Sequence, residues 1–213
     1  MTDPWNERAA LYVESDAHRG GDDLEQMVVW AAGARTALDV ATGGGHVARR
    51  LREEGVEVVT TDRAPGMAPD VICPAEDLPF ADSSFDVVAC RTAAHHFGDV
   101  AAAVLEMARV SADCVLIVDT MHMGDSVEAA EKLRDPSHVR NYTEDEWRDL
   151  IAGARLEVAE LHVFPHTFDL DAWLKRTACE GDEAARVVGL LGERVRDGRL
   201  TLDKIAIRAV KER

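Results

Sequence analysis

The stretch Leu38-Asp39-Val40-Ala41-Thr42-Gly43-Gly44-Gly45-His46 decides the fold of this chain. It is a short apolar run containing an acid, followed by three glycines and then by an amphipathic segment with Val47 and Leu51 on one face. This order is typical of a strand, a tight loop and a helix. Glycine adopts positive φ freely and lets backbone N–H groups approach a ligand closely. The stretch therefore predicts a turn that cradles a nucleotide.

An acidic residue follows the next predicted strand. Asp62 comes directly after the β-branched run 56–61 and seventeen residues after Gly45. A carboxylate in this place can accept hydrogen bonds from the two hydroxyls of a ribose. The turn and the acid together predict an adenosine-containing ligand.

Two ligands fit this pattern. The spacing Gly43-x-Gly45-x-x-Ala48 matches the dinucleotide fingerprint in its Gly/Ala form, which would indicate an NAD-dependent oxidoreductase. Asp39, four residues before Gly43, favours S-adenosylmethionine instead. A carboxylate at that point would repel a pyrophosphate, whereas it suits the ammonium group of an amino acid. We therefore expect S-adenosylmethionine as cofactor, with S-adenosylhomocysteine as product, and keep NAD as the alternative.

Composition limits the class of protein. The 213 residues suffice for one domain over 1–213, and 24 Lys and Arg stand against 40 Asp and Glu, a formal charge of −16. This acidic surplus disfavours nucleic acid as a partner. We find no apolar signal core at the N-terminus and no apolar run of membrane-spanning length, so we expect a soluble, cytoplasmic protein without membrane insertion. The cysteines lack C-x-x-C spacing and are expected to be buried thiols: Cys73, Cys90, Cys114 and Cys179.

Strand and helix signals alternate after a helical N-terminal segment. We predict helical structure over 5–33, interrupted at 15–22. The predicted strands are 37–41, 56–61, 70–73, 84–90, 113–119, 155–164 and 203–210, and the later helices are 45–54, 99–110, 125–134, 143–153 and 182–196. Strands that are apolar on both faces call for a mostly parallel, doubly wound α/β sheet with helices on both faces. The Pro-rich segment 63–69 is too short for a crossover helix, so a loop or single turn must follow Asp62.

Ordered motifs along the chain resemble those of class I S-adenosylmethionine-dependent methyltransferases, in the group that includes the ubiquinone and menaquinone biosynthesis enzymes (methyltransferase type 11). The motifs are the glycine stretch, Asp62, Ala75-Glu-Asp-Leu-Pro-Phe80, Ser84-Phe-Asp-Val-Val88 and His95-His-Phe97. The resemblance implies a seven-stranded Rossmann-like sheet with an antiparallel last strand. It also implies a helical lid over 1–33 and a substrate-wall insertion over 120–153.

The same resemblance implies a set of cofactor contacts. Asp39 and the backbone of 41–45 would hold the methionine part, Asp62 the ribose, and the segment around Ala75 the adenine. The full set is Asp39, Ala41, Thr42, Gly43, Gly45, Asp62, Arg63, Met67, Ala75, Glu76, Asp77, Arg91 and Thr92. Two positions depart from the family pattern: Ala41 stands where glycine is frequent, and Pro74 where many members carry an aspartate that reaches the adenine amino group.

Methyl transfer mainly requires alignment, exclusion of water and, for many acceptors, removal of a proton. Histidine suits that task near neutral pH, and His95 and His96 follow the fourth strand at the edge of the predicted pocket. Adjacent residues do not readily face the same way, so we expect one of them in the pocket and the other in a structural role. Each could instead cap a helix or only shape the cavity. His18 and Tyr12 of the lid are the next catalytic candidates.

Candidate substrate contacts lie in the predicted insertion. They are Arg134, His138 and Tyr142, with Arg140 as a further arginine. For the arginines we favour the alternative that they are solvated and paired with Asp135 or Glu144.

A metal site at Asp119, His122 and Asp125 is not favoured, because no helical His pair and no convergent cluster accompanies them, and we expect no metal. The expected function is therefore methyl transfer to carbon, oxygen or nitrogen of a small metabolite. The alternatives are an NAD-dependent oxidoreductase and a non-catalytic protein of this fold that only binds the cofactor. The oligomeric state is left open, a homodimer included.

Overall fold

Strands and helices alternate in the computed structural model, which describes Asn6 and residues 19–211. The strands are β1 (Thr36–Val40), β2 (Glu57–Asp62), β3 (Val71–Ile72), β4 (Phe85–Arg91), β5 (Ser111–Thr120), β6 (Leu156–Asp169), β7 (Val195–Arg196) and β8 (Arg199–Lys211). The α-helices are α1 (Asp22–Trp30), α2 (His46–Glu53), α3 (Val100–Val110), α4 (Asp125–Arg134), α5 (Glu144–Gly153), α6 (Leu170–Lys175) and α7 (Gly181–Leu191). Short 3-10 turns lie at Pro65–Met67, Ala94–His96 and Gly192–Arg194.

The strands form one mixed sheet in the order β3-β2-β1-β4-β5-β8-β6, and the short β7 pairs with β8. The pairs from β3 to β5 are parallel, whereas β8 runs antiparallel to both β5 and β6. The predicted mostly parallel sheet with an antiparallel last strand is therefore confirmed. The sheet has eight strands because β7 adds a two-residue hairpin arm.

Both faces of the central strands are buried, as a parallel sheet requires. In β4, Val88 and Cys90 pack towards α3 and α5, while Val87 and Ala89 pack towards α1 and α2. Asp39 interrupts this apolar pattern in the middle of the sheet, where it lies opposite Thr60 of β2 and Ala89 of β4. A third apolar cluster joins α4, α6 and α7 to the start of β8.

The predicted helix 182–196 is wrong at its C-terminal end, because α7 ends at Leu191. Gly192 adopts φ 55° and ψ −128°, which does not continue a helix. The chain then forms the β7–β8 hairpin through Asp197 and Gly198, both at positive φ (50° and 71°). An Asp-Gly pair at positive φ is the preferred two-residue hairpin turn. The predicted strands 155–164 and 203–210 are also longer in the structure, because β6 and β8 pair with each other along 156–169 and 199–211.

The crossover after β2 and the cysteines agree with the sequence-based predictions. The crossover after β2 is a single 3-10 turn at Pro65–Met67, as the short Pro-rich segment predicted. All four cysteines are free thiols, three of them buried and Cys73 half-buried. Of the predicted lid, Asn6 and 19–33 are described, whereas Tyr12 and His18 lie outside the described residues. In the part of the chain that the structure covers, every helix is too short or too polar to cross a membrane.

Candidate active site

The carboxylate of Asp39 organises the turn between β1 and α2. It is 1% exposed, and its Oδ2 accepts hydrogen bonds from Thr42 Oγ1 at 2.6 Å and from the Ala48 backbone N–H at 3.1 Å. Burial raises the pKa of Asp39 to about 6, although these two bonds act in the opposite direction. A positively charged group beside Asp39 would therefore stabilise its ionised form.

The turn itself needs left-handed backbone conformations. Gly43 has φ 52° and Gly45 φ 72°, and Ala41 adopts φ 52° without being glycine. Such values are costly for residues that carry a Cβ. The departure from the family pattern at Ala41 is therefore accommodated in a strained conformation.

Asp62 faces the turn from the end of β2. Its Oδ2 accepts the Gly43 N–H at 3.0 Å and its Oδ1 accepts the Ala64 N–H at 2.9 Å. The residue is 8% exposed, and the backbone N–H of Thr42 donates to the Thr61 carbonyl beside it at 2.8 Å. Two backbone donors thus orient this carboxylate across the mouth of the glycine turn.

A cleft of about 990 Å³, its open mouth included, lies at the carboxyl ends of β1, β2 and β4. Eleven of the thirteen predicted cofactor contacts line it: Asp39, Ala41, Thr42, Gly43, Asp62, Arg63, Met67, Ala75, Glu76, Arg91 and Thr92. The other two do not. Gly45 caps α2, and Asp77 is exposed beside the cleft.

Glu76 lines the cleft, but its carboxylate is engaged elsewhere. Its Oε1 accepts the backbone N–H groups of Gly98 and Asp99 at 3.1 and 3.3 Å, just before α3. The expected contact from Glu76 or Asp77 to the adenine edge is therefore not prepared by either side chain. The backbone of Ala75 also lines the cleft.

Further lining residues were not among the predicted contacts. They are His46, Val47, Cys73, Ala93 and Phe97. Cys73 and Ala93 lie in the segments that follow β3 and β4. The rule that ligands bind beyond the carboxyl ends of strands, applied to every residue there, would have included both.

The two adjacent histidines take different places. His96 lines the cleft, and its Nδ1 lies 3.1 Å from the Ser137 carbonyl oxygen. Since a carbonyl only accepts, Nδ1 carries the proton of a neutral ring and Nε2 is its basic nitrogen. His95 is held by Asp119, whose Oδ1 lies 2.5 Å from Nδ1 and whose Oδ2 accepts the His95 backbone N–H at 2.9 Å.

Their surroundings separate the pKa values of the two rings. Burial disfavours charge on both. For His95 the Asp119 carboxylate more than offsets burial, so its pKa is raised. For His96 burial is reinforced by the nearby His95 ring, whose centroid lies 4.1 Å away, so its pKa is lowered. His96 is thus the neutral ring and His95 the ring that favours the charged form.

The candidate substrate contacts lie outside the cleft. Arg134 is buried, where it stacks 4.0 Å over the Trp173 ring and donates to the Trp173 carbonyl at 3.0 Å. Tyr142 packs on Trp147, and Arg140 pairs with Glu146. Contrary to the favoured alternative, Arg134 is buried and not solvated, but its Nη2 lies 4.0 Å from Asp135 Oδ2, the partner that the alternative named. For Arg140 an ion pair is present, but its partner is Glu146 instead of Glu144.

His138 lies closer to the histidine pair than the other candidate substrate contacts do. It is 7% exposed, its Nε2 lies 3.1 Å from Glu128 Oε1, and its ring centroid lies 5.4 Å from that of His95. It contacts the histidine pair from behind and does not line the cleft.

A buried ionic cluster supports the floor of the cleft. Arg91 donates to Asp23 through Nε (2.8 Å) and Nη2 (3.0 Å), and Lys204 Nζ lies 3.3 Å from both Asp23 Oδ2 and Thr92 Oγ1. Burial would raise the pKa of Asp23, but Lys204 and Arg91 hold it well below its usual value. Asp23 and Lys204 were not predicted from the sequence as part of the site. A lysine inside the apolar run of β8 was the available signal, because unpaired lysines are almost never fully buried.

The model of a family described as a methyltransferase domain matches residues 38–119, which contain the glycine turn, Asp62 and the histidine pair. YcgJ of Bacillus subtilis (strain 168), an uncharacterised methyltransferase, is 30% identical over 209 residues, which cover 87% of this chain and 83% of YcgJ. The chain belongs to the class I S-adenosylmethionine-dependent methyltransferases.

Solved structures agree. The crystal structure of YcgJ superposes with a TM-score of 0.81 at 28% identity and covers 90% of this chain and 98% of YcgJ. That of BH2331 from Bacillus halodurans C-125 gives a TM-score of 0.79 at 30% identity, with 91% and 100% covered. This methyltransferase is also 37% identical over 94 residues to a demethylmenaquinone methyltransferase of Beutenbergia cavernae, over 38% and 39% of the two chains. Family membership decides against the NAD-dependent alternative.

Proposed function

We propose that this methyltransferase transfers a methyl group to carbon, oxygen or nitrogen of a small metabolite in the cleft beyond β1, β2 and β4, with His96 as the proton acceptor. The observation that carries the proposal is the meeting of three features in one cleft: the Asp39 turn, the Asp62 carboxylate and the His96 ring. The first two suit the donor and the third suits the acceptor.

The cleft fits S-adenosylmethionine in charge. Asp39 and Asp62 are buried carboxylates that line it, and Asp39 has a pKa raised by burial that an ammonium group would lower again. The Arg91 guanidinium, which also lines the cleft, is held by Asp23. Asp39 and the turn backbone would hold the methionine part, Asp62 the ribose, and Met67 with the Ala75 backbone the adenine.

When bound, S-adenosylmethionine supplies a methyl group on a positively charged sulfur whose leaving group is neutral. The chain then has to orient the acceptor, keep water out and take up a proton. His96 is suited to take it because Ser137 fixes the proton on Nδ1, which makes Nε2 the basic atom. Because the pKa of His96 is lowered, the ring is a weak base, so the expected substrates are acceptors whose proton is readily lost or becomes acidic as the methyl group is transferred.

Binding and turnover test the proposal in sequence. Calorimetry should show binding of S-adenosylmethionine and S-adenosylhomocysteine and none of NADH. A screen of metabolites with methyl-labelled donor should then give a product whose formation falls in His96→Gln at unchanged donor affinity. His162→Gln is the matched control, since His162 is an exposed histidine on β6. Donor binding without any acceptor would favour the non-catalytic alternative, and absence of donor binding would overturn the site.

A further inference from the structure

Three side chains of the kinds that bind metals converge behind the histidine pair. Glu128 and Glu131 lie three residues apart on α4 and so share one face of that helix, and His138 follows in the next loop. One ligand atom from each lies within 4.8 Å of the others. The sequence analysis expected no convergent cluster here, and the loop after α4 creates one.

The spacing of these atoms resembles that of a coordination shell. His138 Nε2 lies 3.1 Å from Glu128 Oε1, and His122 Nδ1 lies 3.7 Å from Glu128 Oε2. Atoms that bind one divalent ion at about 2.1 Å are themselves roughly 3.0–3.5 Å apart. The ligand atoms of Glu131, Glu128 and His138 all lie within 4.8 Å of one another, so a rearrangement of side chains alone would bring Glu131 into the same shell.

Asn141 supplies a second, independent observation. Its side chain is 1% exposed and its Nδ2 contacts Glu131 Oε2, which holds the amide against the cluster. Its Oδ1 is buried and has no hydrogen-bond partner among the residues that the structure describes. A buried amide oxygen without a partner is costly, and a cation held beside this amide would satisfy it.

The two carboxylates of the cluster are largely shielded from solvent, which also favours a bound cation. Glu131 is 5% exposed and the Glu128 side chain 13% exposed. Lys132 approaches Glu128 Oε1 at 3.5 Å, but its own side chain is half exposed and lies at the outer edge. A hydrogen-bonded network explains the contact of His138 with Glu128. It also explains the contact of Asn141 Nδ2 with Glu131, but it leaves the Asn141 oxygen buried without a partner among the described residues.

We propose that Glu128, Glu131 and His138, with Asn141, bind a divalent transition-metal ion. Two carboxylates, an imidazole and an amide oxygen form a mixed nitrogen and oxygen set that suits Zn²⁺ or Mn²⁺ better than Mg²⁺, which prefers oxygen ligands and retained water. The ion is structural, because the ligands lie behind the histidine pair and do not line the cleft.

Such an ion would fasten the loop after α4 to the active site. The backbone N–H groups of Val139 and Arg140 already donate to the His95 carbonyl at 2.9 and 3.2 Å. The His138 ring centroid lies 5.4 Å from that of His95 and 6.2 Å from that of His96. An ion on His138 would therefore restrain the wall on which the His96 ring rests through Ser137.

The test uses the full-length protein stripped of metal by a chelator. Zn²⁺ or Mn²⁺ should bind with one-to-one stoichiometry and raise the melting temperature, whereas Mg²⁺ should do neither. Glu131→Gln and His138→Gln should each weaken binding at least about tenfold. Glu57→Gln, an exposed glutamate on β2, is the matched control and should bind as the wild type does.

Co²⁺ added to the wild type gives a readout that needs no variant. Visible absorption bands of a protein-bound ion that Zn²⁺ displaces would support the site. Absence of saturable binding up to about 1 mM Zn²⁺ and Mn²⁺ by the stripped wild type would overturn the proposal. Binding that is unchanged in both variants would overturn it as well. Neither result bears on donor binding, so the proposed function is tested separately.

Discussion

The carboxylate of Asp119 contacts His95 through both of its oxygens. Oδ1 lies 2.5 Å from the ring Nδ1, and Oδ2 accepts the backbone N–H at 2.9 Å. Both side chains are buried. Because the His95 carbonyl in turn accepts two N–H groups from the loop after α4, this pair joins β5 to that loop and fixes the backbone from which His96 projects.

Asp119→Asn should therefore lower stability and turnover together. Breaking one partner of a buried ion pair costs about 3 kcal/mol, since the other remains desolvated. Urea unfolding should show this loss, and kcat should fall while donor affinity is kept, because Asp119 does not line the cleft. The control is Asp113→Asn at the exposed start of the same strand. Equal stability of the two variants would contradict the role assigned to Asp119.

The raised pKa of Asp39 predicts pH-dependent donor affinity. In the ligand-free protein burial raises this pKa to about 6, above its unfolded value, so the protonated acid is favoured as pH falls. An ammonium group requires the carboxylate. Binding should therefore release a proton below pH 6 and be about tenfold weaker at pH 5 than at pH 7.

Two comparisons isolate this effect in calorimetric titrations between pH 5 and pH 7. 5′-Methylthioadenosine carries the adenosine but no ammonium, so its affinity should not follow the same curve. Asp39→Asn should bind S-adenosylhomocysteine more weakly at pH 7 and lose the pH dependence. A wild-type affinity that is flat across this range would contradict the pairing of Asp39 with the ammonium group.

Asp62→Ala should weaken binding of both adenosyl ligands. Hydrogen bonds to a charged group contribute about 1.5–3 kcal/mol, so the loss of the ribose contacts should cost roughly tenfold or more in affinity. Asp62 also accepts the N–H of Gly43, so the thermal midpoint must be measured alongside. Glu57→Gln at the other end of β2 serves as control. Unchanged affinity in a folded Asp62→Ala protein would show that the ribose lies elsewhere.

Ala41→Gly should stabilise the protein. Ala41 has φ 52°, and relief of this left-handed strain should outweigh the added freedom of glycine in the unfolded chain by about 0.5–1 kcal/mol. Ala185→Gly, at an exposed position within α7, should have the opposite sign and lower stability by about 1 kcal/mol. Urea midpoints of the two variants check the contrast, and a destabilised Ala41→Gly protein would contradict it.

Features that depend on neighbouring residues were readable from the sequence. Alternation of apolar strands with helices predicted the sheet, and eleven of the thirteen contacts that the resemblance to class I methyltransferases implied line the cleft. The β7–β8 hairpin was readable too, since Asp197-Gly198 is a turn signal. It was overridden by the apolar helical pattern that precedes it.

Features that depend on distant residues were not readable. Asp23 and Lys204 are in contact although they lie 181 positions apart in the sequence. The residues around either one give no signal that the other is its partner. The convergence of Glu131, His138 and Asn141 likewise depends on how the loop after α4 folds back. Arg134 was expected near solvent and is stacked on Trp173, because α6 was not foreseen as a helix that covers it.

The ionic cluster below the cleft predicts unequal effects of its members. Asp23 accepts two hydrogen bonds from Arg91 and lies 3.3 Å from Lys204 Nζ, with all three side chains at most 3% exposed. Asp23→Asn weakens the attraction that both cations receive, and should cost about 3–5 kcal/mol. Lys204→Met leaves the two-bond pair of Asp23 with Arg91 in place and supplies an apolar side chain of similar length. It should cost less than half as much, or even stabilise the protein, because a buried charge is removed.

Urea unfolding of the two variants measures the difference, and donor affinity of Lys204→Met shows whether the Thr92 side of the floor keeps its shape. If Lys204→Met were the more damaging change, the lysine and not the arginine would be the main partner of Asp23.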